Sequence, residues 1–300
     1  MFRGDTNLKA ATLSNFVTAS VSDMSYMFSG LKEIETLDVS SFDTRNVLNM
    51  AHMFDGVEKV STLDVSNFDT SRVESFAHMF NDMKEVALLD VSGFRTASVS
   101  DMSYMFANVE LVREIDTSNF DTRRVANMSH MFKGAKTLSR LSLDSFDTSA
   151  TTDMSSMFEG LEKLEEINVR GFDTSRVQNM SSMFKGLATL SEIDIFGFRA
   201  AQVTDTSSMF EGCSNLTSIY ASKKFELNEG TTSTDMFKDA VRIDGGAGTV
   251  YDVNHIDGLY ARIDLGDTRP GYFQGVKYEA HLIANGGVYI DGSSEKLITI

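Results

Sequence analysis

The stretch Met53–His78, MFDGVEKVSTLDVSNFDTSRVESFAH, decides the fold, because close copies of it fill most of the chain. Its opening dipeptide Met-Phe recurs every 26 residues over eight intervals and once more after 27. A unit this short cannot bury its own apolar face, so copies in register favour a solenoid in which each unit covers the next. The pairs start at positions 1, 27, 53, 79, 105, 131, 157, 183, 209 and 236.

An alternation of apolar and polar residues in each unit predicts a β-strand. In the copy above, Leu63 and Val65 should point into the stack. Thr62, Asp64 and Ser66 should point outward. Equivalent residues of successive units would then form columns on the exposed face of a parallel sheet.

A second segment of the unit predicts a short helix. Asp101 has the side chain of an N-cap. Met102, Met105 and Phe106 follow at helical spacing on one face. A glycine such as Gly134 can take the left-handed conformation that ends a helix. The expected unit is strand, turn and short helix, with the Met-Phe pairs in the core.

Composition limits the partners. The 300 residues include 43 acidic and 27 basic side chains, a formal charge of −16, which disfavours nucleic acid as a partner. No apolar run approaches the roughly 18 residues of a membrane span, so no membrane insertion is expected in this segment. The first residues contain no apolar stretch of the signal-peptide type. A single cysteine excludes a disulfide framework and a cysteine-based zinc site.

Motifs of the common enzyme classes are missing. The sequence has no H-E-x-x-H, no G-x-S-x-G, no Walker loop and no cysteine near a histidine. We therefore expect no enzymatic activity and no cofactor. Gly245–Gly248 favour a turn over phosphate binding, and Cys213 is expected to be a small buried side chain.

The segments LDVSNFDTSRV at Leu63–Val73 and NMSSMFKG at Asn179–Gly186 resemble a known family. The L-x2-L-x-V spacing is that of leucine-rich repeats, and in detail the units resemble the BspA-type leucine-rich-repeat surface proteins of bacteria. The resemblance covers about residues 1–273. It implies an α/β fold, a leucine-rich-repeat-like solenoid with a parallel sheet. It also implies an extracellular location on the bacterial cell surface and adhesion to a host or microbial surface protein.

Three parts are expected along the chain. Residues 1–225 would form the solenoid, and residues 226–273 resemble the closing segment of that family's arrays. Residues 274–300 would be a partial β-repeat module or tail, in which Asn285-Gly286-Gly287 predicts a hairpin and hence a small C-terminal β segment. Both ends are expected to lie inside a longer protein.

The outward strand columns change along the array, which gives the functional hypothesis. As far as Ser118 they are nearly uniform Asp and Ser, whereas later units carry arginine and aromatic residues, the types that dominate recognition surfaces. Sequence drift, with the aromatic residues covered by the closing segment, is the alternative. The predicted ligand-binding residues are Arg140, Arg170, Phe196 and Tyr220. The expected function is macromolecular binding; the alternative is a structural spacer that holds a distal module away from the cell wall.

Asp38, Asp64, Asp90 and Asp116 would form an acidic column with carboxylates about 4.8 Å apart. We expect each carboxylate to accept hydrogen bonds from neighbouring serine, threonine or backbone donors. Bridging cations are the alternative interpretation.

Three further features need an explanation. Three histidines share one unit position with two tyrosines, which predicts an aromatic-polar column facing outward or into the groove between units. Zinc binding is disfavoured there because the column lacks a third ligand, and no metal site is predicted. Arg3-Gly4-Asp5 spells an integrin-recognition tripeptide, but Gly4 occupies the regular glycine position. A threonine column is expected to bond local backbone. The column residues are Tyr26, His52, His78, Tyr104 and His130, and the threonines are Thr18, Thr44, Thr70, Thr96, Thr122, Thr148 and Thr174.

Overall fold

The computed structural model describes residues 2–275, 279–283 and 295–299. The repeat region winds as a solenoid with one coil per unit, because parallel bridges join residues one unit apart. One series of bridges starts at Asp23–Asn49, passes through Asn127–Asp153 and ends at Asp205–Thr232. The 26-residue period of the sequence is therefore the period of the coil.

The strand segment of each unit lies beside that of the next, in parallel. Early units contribute single bridges such as Thr62–Leu88, and later units contribute strands. Leu63 and Val65 are buried, while Thr62, Asp64 and Ser66 are exposed, which confirms the predicted alternation.

Seven strands are assigned in the described residues. Two form a parallel pair, β1 (Glu114–Ile115) with β2 (Arg140–Leu141). Three form a parallel sheet in the order β3 (Glu192–Ile195), β4 (Ser218–Ala221) and β5 (Phe273–Gln274). Two form an antiparallel pair, β6 (Glu279–Ile283) with β7 (Glu295–Thr299). The Asn285-Gly286-Gly287 turn predicted between the last two lies outside the described residues.

The prediction of a short helix in each unit is wrong. Within the described ranges the helices are two 3-10 turns, Gly258–Tyr260 and Gly266–Thr268. The predicted helical segment is instead a run of overlapping turns. Alternate N–H groups bond three residues back, as from Met27 to Met24 at 3.2 Å. The N–H groups between them bond to the next unit, as from Tyr26 to the carbonyl of Ala51 at 3.0 Å.

Backbone conformation explains why no helix forms. An α-helix needs right-handed φ and ψ at every residue, and this segment has positive φ at two positions four residues apart. In the second unit these are Tyr26, with φ of 56°, and Gly30, with φ of 77°. A helix this short is also far below the about 12–15 residues that are stable alone, so hydrogen bonds to the next coil replace it. The α part of the α/β expectation is therefore wrong, and each unit is an extended segment joined to successive turns.

A continuous column of phenylalanine rings forms the centre of the core, which confirms the prediction for the Met-Phe pairs. Adjacent ring centroids are 5.6–6.0 Å apart and adjacent planes lie within 14° of each other. Cys213 is also buried, and burial raises the pKa of its thiol to about 12. The ring column consists of Phe28, Phe54, Phe80, Phe106, Phe132, Phe158, Phe184, Phe210 and Phe237.

The threonine column ties neighbouring coils together, and the expectation of local bonding is wrong. The Thr122 hydroxyl donates to the carbonyl of Asp147 at 2.9 Å and accepts from the Asp147 N–H at 2.8 Å. The hydroxyl is fully buried and its partner is 25 residues away. Turn residues can therefore bond the next coil, because that coil brings the same turn alongside.

Thr122→Val should destabilise the chain by about 1–3 kcal/mol, because it leaves the N–H of Asp147 without an acceptor in a buried position. Chemical denaturation gives this free energy of unfolding directly. Thr62→Val, on the exposed strand face, is the matched control and should change stability by less than about 0.5 kcal/mol. Equal effects of the two substitutions would contradict the stabilising role of the threonine column.

The closing segment covers the last coil with aromatic residues and one buried carboxylate. Tyr272 packs edge-on against Phe237, with ring centroids 5.1 Å apart. The loop at Gly245–Gly248 is a turn, with the Gly248 N–H donating to the Gly245 carbonyl at 3.2 Å. The carboxylate of Asp264 accepts hydrogen bonds from this loop. The Asp264 carboxylate therefore takes the N–H donors that a phosphate would need at this loop.

Candidate functional site

The four predicted ligand-binding residues lie on the strand face, in three parallel columns. Arg140 belongs to β2 and Tyr220 to β4. Arg170 and Phe196 occupy the same position of consecutive units. The structure brings these last two together.

Arg170, Phe196 and Asp194 form one cluster. The guanidinium of Arg170 is ion-paired with the Asp194 carboxylate, and its Cζ lies 5.0 Å from the centroid of the Phe196 ring. The Arg170 side chain is 36% exposed and that of Asp194 is 14% exposed. Asp194 was missed in the sequence because it lies 24 residues from Arg170, a diagonal neighbour in the next unit rather than a member of the same column.

Arg140 and Tyr220 lie in different surroundings. Arg140 pairs with Glu114 at 2.7 Å, and both side chains are more than half exposed, so this ion pair contributes little to stability. Tyr220 is half-buried, and its backbone lies between those of Asp194 in β3 and Gln274 in β5. The closing segment thus lies beside Tyr220.

An acidic depression of about 620 Å³ lies on the strand face between β2 and β3. Residues 165–168 are not assigned to a strand, so the parallel strand pairing is interrupted there. The sequence did not reveal this feature, because Ile167 and Val169 continue the apolar alternation through the gap. The charged residues that line the depression are Asp144, Glu165, Glu166, Arg170, Glu192 and Asp194.

Each carboxylate of the acidic column accepts hydrogen bonds from the serine two residues later. The N–H of Ser66 donates to Asp64 at 2.9 Å, and the other three aspartates have the same bond at 2.9–3.0 Å. The hydroxyl of Ser66, followed by its N–H, holds the pKa of Asp64 below its usual range. The carboxylates are stabilised locally, as expected for the hydrogen-bonded interpretation.

Millimolar calcium should therefore leave the melting temperature unchanged, because each carboxylate already has local donors. Differential scanning calorimetry with calcium and with chelator checks this expectation. A rise in melting temperature that disappears in the double variant Asp64→Asn with Asp90→Asn would establish a cation-bridged column instead.

Five rings form a stack on the turn side of the solenoid, which we call the imidazole column: Tyr26, His52, His78, Tyr104 and His130. Adjacent centroids lie 4.1–4.3 Å apart and adjacent planes lie within 12°. All five residues are half-buried and have positive φ. The Arg3 guanidinium packs over the Tyr26 ring at 3.9 Å and extends the stack.

His130 makes the column sensitive to acid. Its Nδ1 is buried without a hydrogen-bond partner. Burial lowers the pKa of His130, nearby Lys133 lowers it further, and Glu159 and Asp153 oppose the shift. A lowered pKa in the folded state means that the unfolded chain binds the proton more strongly, so stability is lost as the pH falls below about 6.5.

His130→Tyr should reduce the drop in melting temperature between pH 7.5 and pH 5.5, because tyrosine occupies the same position at Tyr104 and does not titrate in this range. Thermal denaturation of both proteins across the pH series measures the difference. Parallel curves for the two proteins would contradict the assignment to His130.

A protein-family model described as "Mycoplasma protein of unknown function, DUF285" matches residues 1–114, 57–146 and 138–247. The chain belongs to this family. Together the DUF285 matches span residues 1–247, which include the repeated coils. These matches do not confirm the BspA-type resemblance, which stays a prediction.

Two solved structures are similar to this DUF285 protein at low identity. A leucine-rich repeat protein from Bacteroides ovatus ATCC 8483 is 12% identical, with 76% of each chain covered and a TM-score of 0.23. The functional domain of InlJ from Listeria monocytogenes is 11% identical, with 98% of this chain and 77% of that chain covered and a TM-score of 0.21. No curated protein matches the chain. In the described part of the chain, no helix has the length and apolar character needed to cross a bilayer.

Proposed function

We propose that this DUF285 chain is a non-enzymatic binding protein of a bacterial cell surface, which presents the strand face of its solenoid to a host or microbial surface protein. The observation that carries the proposal is the change along that face. Its early part has self-contained Asp-Ser pairs, whereas its later part has an acidic depression beside the Arg170–Phe196 pair. The proposal requires no cofactor and no catalytic residue.

The chemistry of the depression favours a basic segment of the partner. Five carboxylates and one guanidinium line it, and that guanidinium is already paired with Asp194. A lysine or arginine of the partner would meet the exposed carboxylates of Glu165 and Glu166, and the half-buried ring of Phe196 would supply apolar contact at the edge. The formal charge of −16 would speed encounter with a basic partner at low salt.

A binding panel of extracellular matrix proteins and whole cells tests the proposal by biolayer interferometry. For any saturable partner, Phe196→Ala should weaken binding by about 1–4 kcal/mol. Glu166→Gln should weaken it more at low salt than at high salt, because salt screens exposed charges. Asp38→Asn on the early part of the face is the matched control and should leave affinity unchanged. Loss of binding in the control alone would place the site elsewhere.

A structural spacer is the alternative function. The uniform Asp-Ser pairs of the early units favour it, because their donors and acceptors are satisfied within each unit. A spacer would show no saturable partner across the panel. The same experiment therefore distinguishes the two functions.

A further inference from the structure

Two histidines and one aspartate of adjacent units lie together in the imidazole column. Nδ1 of His52 is 2.8 Å from Oδ2 of Asp55, and the His52 and His78 rings stack with centroids 4.2 Å apart. One ligand atom from each of the three side chains lies within 4.8 Å of the other two, a grouping found nowhere else among the described residues. The sequence argument that the column lacks a third zinc ligand is therefore wrong. Asp55 follows His52 by three residues, and the turn places both on one surface.

We propose that His52, Asp55 and His78 bind one Zn²⁺ ion. Imidazole nitrogen and carboxylate oxygen bind zinc at about 2.0–2.2 Å, so ligand atoms of a tetrahedral site lie about 3.4 Å apart. The separations here, from 2.8 Å to at most 4.8 Å, bracket that value. The two imidazole planes are 12° apart, so their nitrogen lone pairs are nearly parallel. Zinc binding therefore requires both rings to rotate about their side-chain bonds, which gives up part of the stacking. The ion would replace the hydrogen bond between His52 and Asp55, and water would complete the tetrahedron.

The surroundings of Asp55 suit a ligand carboxylate. Nδ2 of Asn81 donates to Oδ1 of Asp55 at 2.8 Å, which fixes the carboxylate and leaves Oδ2 directed at His52. Such outer hydrogen bonds orient metal ligands in proteins. The side chains of His52 and Asp55 are each 22% exposed, so an ion can enter from solvent. Because His78 comes from the next coil, the ion would join two coils and stabilise the folded chain.

Isothermal titration calorimetry of the metal-free chain with zinc chloride at pH 7.5 tests the site, with one ion bound per chain as the expected result. His78→Tyr and Asp55→Asn should each weaken zinc binding by at least about tenfold. Both replacements occur naturally at the same positions of other units, as Tyr104 and Asn81, so the fold should be retained. Zinc should raise the melting temperature of the parent and of neither variant.

Two matched controls each remove a histidine whose neighbouring ring is a tyrosine rather than another histidine. His130→Tyr changes the same column beside Tyr104, and His255→Ala removes a histidine paired with Asp252 at 3.0 Å. Both should bind zinc as the parent does, and magnesium, which prefers all-oxygen sites, should not compete. The proposal is overturned by the absence of saturable zinc binding. It is equally overturned by full affinity in His78→Tyr or Asp55→Asn, or by loss of binding in either control. The outcome does not depend on the proposed function.

Discussion

Phe132→Ala should cost about 3–5 kcal/mol of unfolding free energy and divide thermal unfolding into two steps. Phe132 is fully buried, and its ring lies 5.6 Å from that of Phe106 and 6.0 Å from that of Phe158. In a solenoid each coil contacts only its neighbours, so the ring column is a central part of the apolar core that connects the two halves. Removing one central ring leaves a cavity at that connection and weakens the coupling across it.

The matched control for this prediction is a phenylalanine at one end of the array instead of its centre. Phe2 stacks on Phe28 and lies beside Phe16 at the start of the array, and it is half-buried. Phe2→Ala should therefore fray the first coil and leave one main transition. Differential scanning calorimetry of the two variants checks the contrast. A single, equally shifted transition in both would show that the coils do not unfold by nearest-neighbour coupling.

The sequence predicted the features that depend on burial. The 26-residue period, the inward strand residues and the Met-Phe core follow from where apolar side chains recur, since burial in a stack requires the same position in every unit. Cys213 follows the same rule, because it replaces an apolar residue at a core position. Repetition makes this inference strong, as each copy repeats the evidence of the others.

The errors concern hydrogen bonds between coils. The spacing of Met102, Met105 and Phe106 fits a helix, but the same spacing also fits turns whose alternate N–H groups bond the next coil. The threonine hydroxyls were assigned to local backbone for the same reason. The position of Asp55 beside His52 and His78 and the acidic depression were missed as well. A sequence pattern describes one unit at a time, whereas these features form only between neighbouring units.

Asp264→Asn should open the closing segment, because Asp264 is a buried carboxylate surrounded by donors. Its side chain is 5% exposed and accepts four hydrogen bonds at 2.7–3.0 Å. Burial raises the pKa of Asp264, but hydrogen bonds from Thr249, Ala247 and Gly266 outweigh it and hold the pKa below the usual value. The carboxylate therefore stabilises the fold at neutral pH, and this contribution is lost as the pH falls below about 4.

An asparagine at position 264 would match the size of the carboxylate but turn an NH₂ group toward the N–H donors of Ala247, Thr249 or Gly266. Leaving one or two of these partly buried hydrogen bonds unmade should cost about 1–3 kcal/mol. Hydrogen exchange should then accelerate at Ala247 and Thr249, and limited proteolysis should cut the closing segment before the coils. Asp267→Asn, at an exposed position three residues away, is the matched control and should change neither. Because β5 pairs with β4, release of this segment would also uncover the strand that carries Tyr220. If exchange stays slow in Asp264→Asn, the carboxylate does not hold the closing segment on the last coil.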